Sequence, residues 1–288
     1  MMGRHKSQLR DEVFLSMFRV SAYLILAVTF FFFFYIIKNG LPVMSAGFLL
    51  KMPSEGMTAG GIYPAIVGTA LVTLLTALFS LPLGVGAAIY LTQYASDNWG
   101  TRFLRLSIRN LSGVPSIVFG LFGLAFFVNI LNMKPGILTA GMTLGLLVLP
   151  WTITTAEESL RSVPNGFREA AIALGAGPWF TIRSVILPTA LPGILTGLVL
   201  GMARAAGETA PILFVGVSFY LPQLPKSLFD QFMALPYHLY VLSTQHHSIE
   251  LVRPIAFGTS FVLVAVILVM SGSVVVVRMR LRRKYQQW

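Results

Sequence analysis

The stretch MFRVSAYLILAVTFFFFFYIIK, residues 17–38, holds one internal charge, Arg19, before Lys38 closes it. A hydrocarbon core of ~30 Å takes about 20 apolar residues per helical crossing, and this run has that length. Five further runs of similar character follow at 64–93, 106–131, 136–155, 191–219 and 254–277. The first is too long for the apolar part of a secretory signal, and no cleavage pattern follows it, so it reads as a retained helix. Composition points the same way: 56% of the 288 residues are hydrophobic, 11% are charged and 22 are phenylalanine, a balance suited to lipid. The expectation is an all-α polytopic membrane protein with six transmembrane helices. No linker, low-complexity tract or internal repeat divides it, so residues 1–288 read as a single transmembrane domain.

The net charge of +11 does not imply nucleic acid, because the basic residues fall in short groups between apolar runs and form no continuous stripe. Cysteine is absent, which removes disulfides, thiolate metal clusters and thiol nucleophiles. Topology accounts for the charge. With the N-terminus in the cytoplasm, the inside segments hold Arg4, Lys6, Arg10 and Arg19, then Arg102, Arg105 and Arg109, then Arg161, Arg168 and Arg183, then Arg278 to Lys284. Lys38, Lys51, Lys134, Lys226 and Arg253 fall outside. This positive-inside bias places both termini in the cytoplasm of a multi-pass cell-membrane protein. Two connections are long, and long loops are often functional. The cytoplasmic one, 156–190, is broken by Pro164 and Pro178 into two helical pieces, and the external one, 220–253, carries His238, His246 and His247.

The fifth run contains ARAAGETAP, residues 203–211. Gly193, Gly197, Gly201 and Ala205 recur every four residues, a ridge that lets another helix approach closely, the partner of a dimer included. Arg204 and Glu208 fall within the same arc, which puts the charged pair toward the protein interior near mid-span. An uncompensated arginine at that depth costs about 2.5–3.5 kcal/mol. Glu208 lies at the i,i+4 spacing that lets the side chains meet, and Pro211 withholds a donor from the carbonyl of Gly207 and bends the helix there. A structural ion pair is the plain alternative. Buried ion pairs seldom stabilise more than apolar residues do, whereas intramembrane charges mark pathways. A guanidinium fork suits an oxyanion, and a carboxylate accepts only from a substrate that still carries a proton. Protonated phosphate meets both demands; sulfate meets the first.

No lysine follows a glycine, so the GxxxxGK[ST] loop that would cradle ATP is missing. The segment REAAIALGAGPWFTIRSVILP, residues 168–188, instead offers Glu169, Ala170 and Ala171, then Gly175, then Leu187 and Pro188. Alanines make a slim helix-favouring surface, and Gly175 permits a sharp turn. The pattern resembles the EAA loop of ABC importer permeases, EAA-x3-G-x9-I-x-LP, with Val185 in the isoleucine position. Together with GMARAAGETAPILF (201–214), GAAIYLTQYA (86–95), RNLSGVPSIVFGLFG (109–123) and ALPYHLYVLSTQ (234–245), it resembles the PstA-type permeases of phosphate ABC importers.

That resemblance implies a type I importer permease of MetI-like architecture in a bacterial or archaeal cell membrane. It implies a PstC-like permease as heterodimer partner, two PstB-like ATPases on the EAA loops, a PstS-like phosphate-binding protein outside, and inorganic phosphate as substrate. ATP and Mg would belong to the ATPase, with no cofactor on this chain. Arg204 and Glu208 would lie on the pathway, and Glu169, Ala170, Ala171 and Gly175 in the coupling segment. Some members carry an arginine near the inner end of the fourth crossing, where Thr154 stands here, so that cation is not carried over. The alternatives are a PstC-like sister, a permease for another oxyanion, or a passive anion channel, which needs no ATPase-docking loop. An intramembrane hydrolase lacks a histidine within any run. Arg109 reads as a basic anchor at the headgroups, followed by Asn110, Ser112, Gly113, Pro115 and Ser116. The three external histidines fit no helical ligand spacing and read as a solvated loop. Glu157 and Glu158 diverge on a helix and read as caps or ATPase contacts.

Overall fold

The computed structural model describes residues 2–285. In chain order the helices are α1 (Met2–Gly40), α2 (Ala46–Leu50), α3 (Tyr63–Ile89), α4 (Trp99–Leu111), α5 (Ser116–Gly123), α6 (Ile137–Arg161), α7 (Asn165–Ala173), α8 (Pro178–Thr181), α9 (Leu187–Ala206), α10 (Ala210–Leu213), α11 (Leu235–Thr244) and α12 (Ile249–Tyr285). Wider π turns extend α3 (Tyr90–Tyr94) and α5 (Leu124–Ile130), and a third, Ile182–Ile186, joins α8 to α9. Among the described residues, five segments are long and apolar enough to cross a membrane: Phe14–Val43, Tyr63–Tyr94, Ile137–Arg161, Pro178–Ala206 and Ile249–Arg280. Counted as one bent span, Trp99–Leu111 and Ser116–Ile130 make a sixth.

The third and fifth runs differ from expectation. The third is bent by 101° between α4 and α5, because Pro115 lacks a backbone donor and keeps Val114 out of the helical region. Arg102, Arg105 and Arg109 share one face of α4, the pattern of a helix lying along a membrane surface. Only 116–130 is left to cross, a rise of about 22 Å at ~1.5 Å per residue. The fifth span begins at Pro178, not near 191. Proline is tolerated in a first helical turn, where its missing N–H has no intrahelical partner to lose, so the residue expected to break the loop starts the helix. The span then stops at Ala206. The connection expected at 156–190 therefore shortens to 162–177, and Arg253 lies inside α12 rather than in a loop.

Tyr35 near the end of α1 meets Phe257 near the start of α12 edge-on at 5.5 Å between ring centres. The two helices are thus antiparallel, and both termini fall on one face, called here the terminal face. The far face is closed by a small layer: α2, the antiparallel pair β1 (Pro53–Ser54) and β2 (Ala59–Gly60), and α11. Phe48, Met57, Ile62, Met233, Leu235 and Val241 form its buried core. On the terminal face, the Glu157 carboxylate accepts from Arg105 Nε at 2.9 Å and Arg161 Nη2 at 2.7 Å, while Arg105 Nη2 donates to the Leu91 carbonyl at 2.7 Å. That clamp ties α4 to the ends of α3 and α6, so Glu157 is neither a cap nor free for another chain.

Five buried threonines within the spans are satisfied locally, whereas the Ser80 hydroxyl on α3 is buried without a partner. Thr69, Thr73 and Thr76 on α3 and Thr143 and Thr152 on α6 are buried, and each hydroxyl donates to the carbonyl four residues back, the economical arrangement where water is absent. Thr69 Oγ1 also accepts the Leu235 N–H at 2.8 Å, fixing the start of α11 on α3. The ridge on α9 meets α6 of the same chain: a Cβ at Gly193 would strike Ser159, and one at Gly197 would strike Thr155. Trp151 Nε1 donates to the Gly197 carbonyl at 3.2 Å. The ridge is occupied within the chain and is not a seam for a second subunit at these positions. Gly197→Leu should destabilise the protein by about 1–3 kcal/mol through overpacking, read as a lower thermal midpoint in detergent. Gly166→Ala, where added bulk meets nothing within 4 Å, should leave that midpoint unchanged.

Candidate functional site

The end of α9 is set by GETAP. Gly207 caps the helix, and the N–H groups of Gly207 and Glu208 donate to the carbonyls of Arg204 and Ala205, each at 3.1 Å. Regular helical hydrogen bonding then lapses until α10 begins at Ala210, with Pro211 in its first turn. Glu208 is therefore beyond the helix and not one turn along it. Its Oε1 still lies 3.6 Å from Arg204 Nε, an ion pair longer than a good hydrogen bond.

Depth follows from packing. Ala205 is buried with Leu147 and Val148, which stand about 16 Å along the 25-residue α6 at ~1.5 Å per residue. Arg204 is thus near mid-span, yet it is not interior to this chain. Its side chain is 54% exposed, which corrects the expectation that it faces inward, while that of Glu208 is largely covered at 18%. The reason is that this chain leaves that stretch of α9 uncovered: Leu200, one turn before Arg204 on the same face, is also 52% exposed. Placement in the last turn also sets its charge against the negative end of the helix. Beside it, Pro211 packs on Gly120 of α5, and Phe119 joins the Ala205 cluster. Thr154 donates to the Pro150 carbonyl at 2.8 Å and is satisfied within α6.

On the terminal face, Glu169, Ala170 and Ala171 lie on α7, with Ala171 buried and the other two exposed. Gly175 follows at φ +82° with nothing within 4 Å of an added Cβ. Its requirement is the left-handed backbone, not space. Leu174, at 89% exposure, Phe180 and Trp179 present apolar surface here, and a concavity of about 660 Å³ lies between α7 and α8, lined by Phe167, Ala170, Leu174 and Phe180.

The histidines were expected in a solvated loop, and two of them are buried. His246 Nδ1 accepts the Ser248 N–H at 3.1 Å, which leaves Nε2 to donate to the Gly56 carbonyl at 2.9 Å. It ties the β1–β2 turn to the α11–α12 connection, 190 residues away in sequence. His238 on α11 is 2% exposed, and neither ring nitrogen has a hydrogen-bond partner. Among the described residues no group of three His, Cys, Asp or Glu could hold a metal. The Arg105–Glu157–Arg161 clamp escaped sequence reasoning: the i,i+4 spacing of Glu157 and Arg161 was a signal that could have found one half, and Arg105 is 52 positions away.

A bent third span, a fifth span interrupted at mid-depth and a helical segment between the fourth and fifth define a membrane permease of the ABC importer type. The fold is that of a bacterial alginate ABC transporter solved with an alginate-bound periplasmic protein, matched at TM-score 0.65 over 98% of each chain, with 13% identity. Residues 80–283 match the model of the binding-protein-dependent transport system inner membrane component, and the chain belongs to that family. It is 34% identical to the probable ABC transporter permease protein YqgI of Bacillus subtilis over 92% of this chain and 93% of that one. It is also 34% identical to the phosphate transport system permease protein PstA 1 of Mycobacterium tuberculosis over 76% and 71%. The chain is thus a multi-pass transport subunit.

Burial lowers the His238 pKa from 6.5 to about 4 by penalising the charged ring. A depressed histidine leaves the folded state with fewer protons than the unfolded state between those values. The contribution is complete above pH 6.5 and is lost as pH falls toward 4. About 2 kcal/mol should go between pH 7.5 and pH 5. His238→Leu should flatten that dependence in thermal unfolding at the two pH values, without loss at neutral pH because no hydrogen bond is removed; an unchanged slope would assign the acid sensitivity elsewhere.

Proposed function

We propose that this chain is one half of the translocation pathway of an ATP-driven phosphate importer, with its terminal face in the cytoplasm. The observation that carries the reading is the Arg204 guanidinium, half-exposed at mid-depth where the fifth span breaks. Facing lipid it would cost about 2.5–3.5 kcal/mol. A second chain must therefore cover that face and leave a polar route beside it, as discontinuous helices do around ions in other transporters. The PstA relatives supply the substrate. A guanidinium can hold two phosphate oxygens, and Glu208 can accept from a phosphate hydroxyl. The long 3.6 Å pair leaves both groups able to trade their mutual contact for the ion, and conduction needs release as well as binding.

The expected partners are a PstC-like permease, two PstB-like ATPases carrying ATP and Mg, and a PstS-like binding protein at the far face. The arginines on α4, α6 and α7 lie at the terminal face with the termini, which supports a cytoplasmic placement. The exposed α7 with the apolar concavity behind it would take the ATPase. Domain organisation on this reading is one transmembrane unit.

Arg204→Gln should abolish phosphate uptake in cells while the complex is still recovered intact; normal uptake would remove Arg204 from the pathway. Glu208→Gln should lower the ratio of phosphate to sulfate transport several-fold, and an unmoved ratio would remove its part in recognising the proton. Gly175→Val forces a β-branched residue to φ +82°. It should reduce co-purification of the ATPase and uptake together, with the folded permease still present in the membrane.

A further inference from the structure

We infer that the terminal face holds a second oxyanion site, built for a small anion of the phosphate class that still carries a proton. A cavity of about 150 Å³ lies where the π turn after α3, the last turn of α6 and the first turn of α7 meet. Its polar lining is Thr92, Gln93, Arg161, Asn165 and Arg168, with no carboxylate among the lining residues. Two arginines in the lining of such a cavity suit an anion, and Arg161 keeps donors to spare. It donates to Glu157 through Nη2, and Arg105 shares that carboxylate.

Gln93 specifies the anion further. Thr92 spends its hydroxyl proton on the Ala88 carbonyl at 2.8 Å and so can only accept from Gln93, whose Nε2 donates to it at 3.3 Å. That fixes the amide orientation. It leaves Gln93 Oε1 sealed from solvent as an acceptor with no partner, a costly condition that is relieved if the amide turns its oxygen into the cavity toward a ligand donor. Water could donate to Gln93 but would not neutralise the arginines; sulfate and carboxylates would neutralise the arginines but bring no proton. Hydrogen phosphate does both, and a cavity with room for about five waters of ~30 Å³ accommodates it.

The site bridges α3 and α6 to Asn165 and Arg168 on α7. Occupancy would pin the segment that the proposed function assigns to ATPase coupling, so phosphate on this side would restrain transport. That consequence rests on the proposed function; the binding itself does not.

The test uses the intact permease–ATPase complex in nanodiscs, reading thermal midpoints with sodium phosphate against sodium sulfate and chloride at matched ionic strength. Near saturation, phosphate should raise the midpoint by about 2–4 °C and sulfate by less than half as much. The shift should persist in Arg204→Gln and fall by at least half in Arg168→Gln. Gln93→Leu should erase the preference for phosphate over sulfate, with subunit stoichiometry unchanged in each variant. A full shift in Arg168→Gln, or one abolished by Arg204→Gln, would overturn the inference. A shift seen in phosphatidylcholine discs but missing when phosphatidylglycerol is added would assign the site to lipid headgroups and overturn the free-anion reading. Failure here with uptake still lost in Arg204→Gln leaves the pathway intact, and the converse result separates them equally.

Discussion

A bilayer interior offers no water, so each polar group in it must find a protein partner or line a wet passage. Arg204 is where that constraint tightens. Its guanidinium sits near mid-span, more than half exposed on the isolated chain, with the Glu208 carboxylate 3.6 Å away. The helix that carries it ends two residues later, and two of the freed carbonyls are taken back by the N–H groups of Gly207 and Glu208. The backbone is thus satisfied at the break while the side chain is left facing outward. The proposed function places a second chain and a polar route there.

The rest of the molecule holds the break in place. The α9 glycines sit against Thr155 and Ser159 of α6, and Trp151 reaches across to the Gly197 carbonyl, so α9 and α6 move as a pair. Beyond the break, Pro211 and Ile212 are buried against α5 and α6, and the connection toward α11 caps the start of α6. The N–H groups of Gly136, Ile137 and Leu138 donate to the carbonyls of Val215, Asp230 and Leu228. At the terminal face the Glu157 clamp fixes α4 beside α6, one turn from the connection to α7. Arg204 and Glu208 are therefore held near the middle of α6, through Ala205 against Leu147 and Val148, and α7 follows its C-terminal end.

Apolar run length and the positions of arginine made the spans and their shared orientation legible, because both report directly on lipid and water. The EAA spacing and Gly175 could be read for a related reason: a left-handed turn is a local property of one residue. What escaped reading was non-local or terminal. Hydrophobicity alone does not show that 106–111 lies along the surface while 116–130 crosses; that depends on Pro115 and on where the three α4 arginines can reach. The outward exposure of Arg204 was missed because periodicity puts it on the arc of the glycine ridge but does not show how far along α9 the chain's own helices cover that arc, and Leu200 one turn earlier is exposed as well. His246 and the Arg105–Glu157 pair join residues distant in sequence, for which a single chain carries no signal.

The central claim is that position 204 faces a water-filled route closed by a second subunit. Because the chain has no cysteine, Arg204→Cys in the assembled transporter supplies one reporter thiol in it. The most direct measurement is its rate of modification by a charged, membrane-impermeant thiol reagent, compared with a thiol at Leu26→Cys on the exposed face of α1. Modification at 204 that changes with the nucleotide state of the ATPase, with position 26 inert, is the result expected. A thiol at 204 as unreactive as the one at 26 in every state would contradict it.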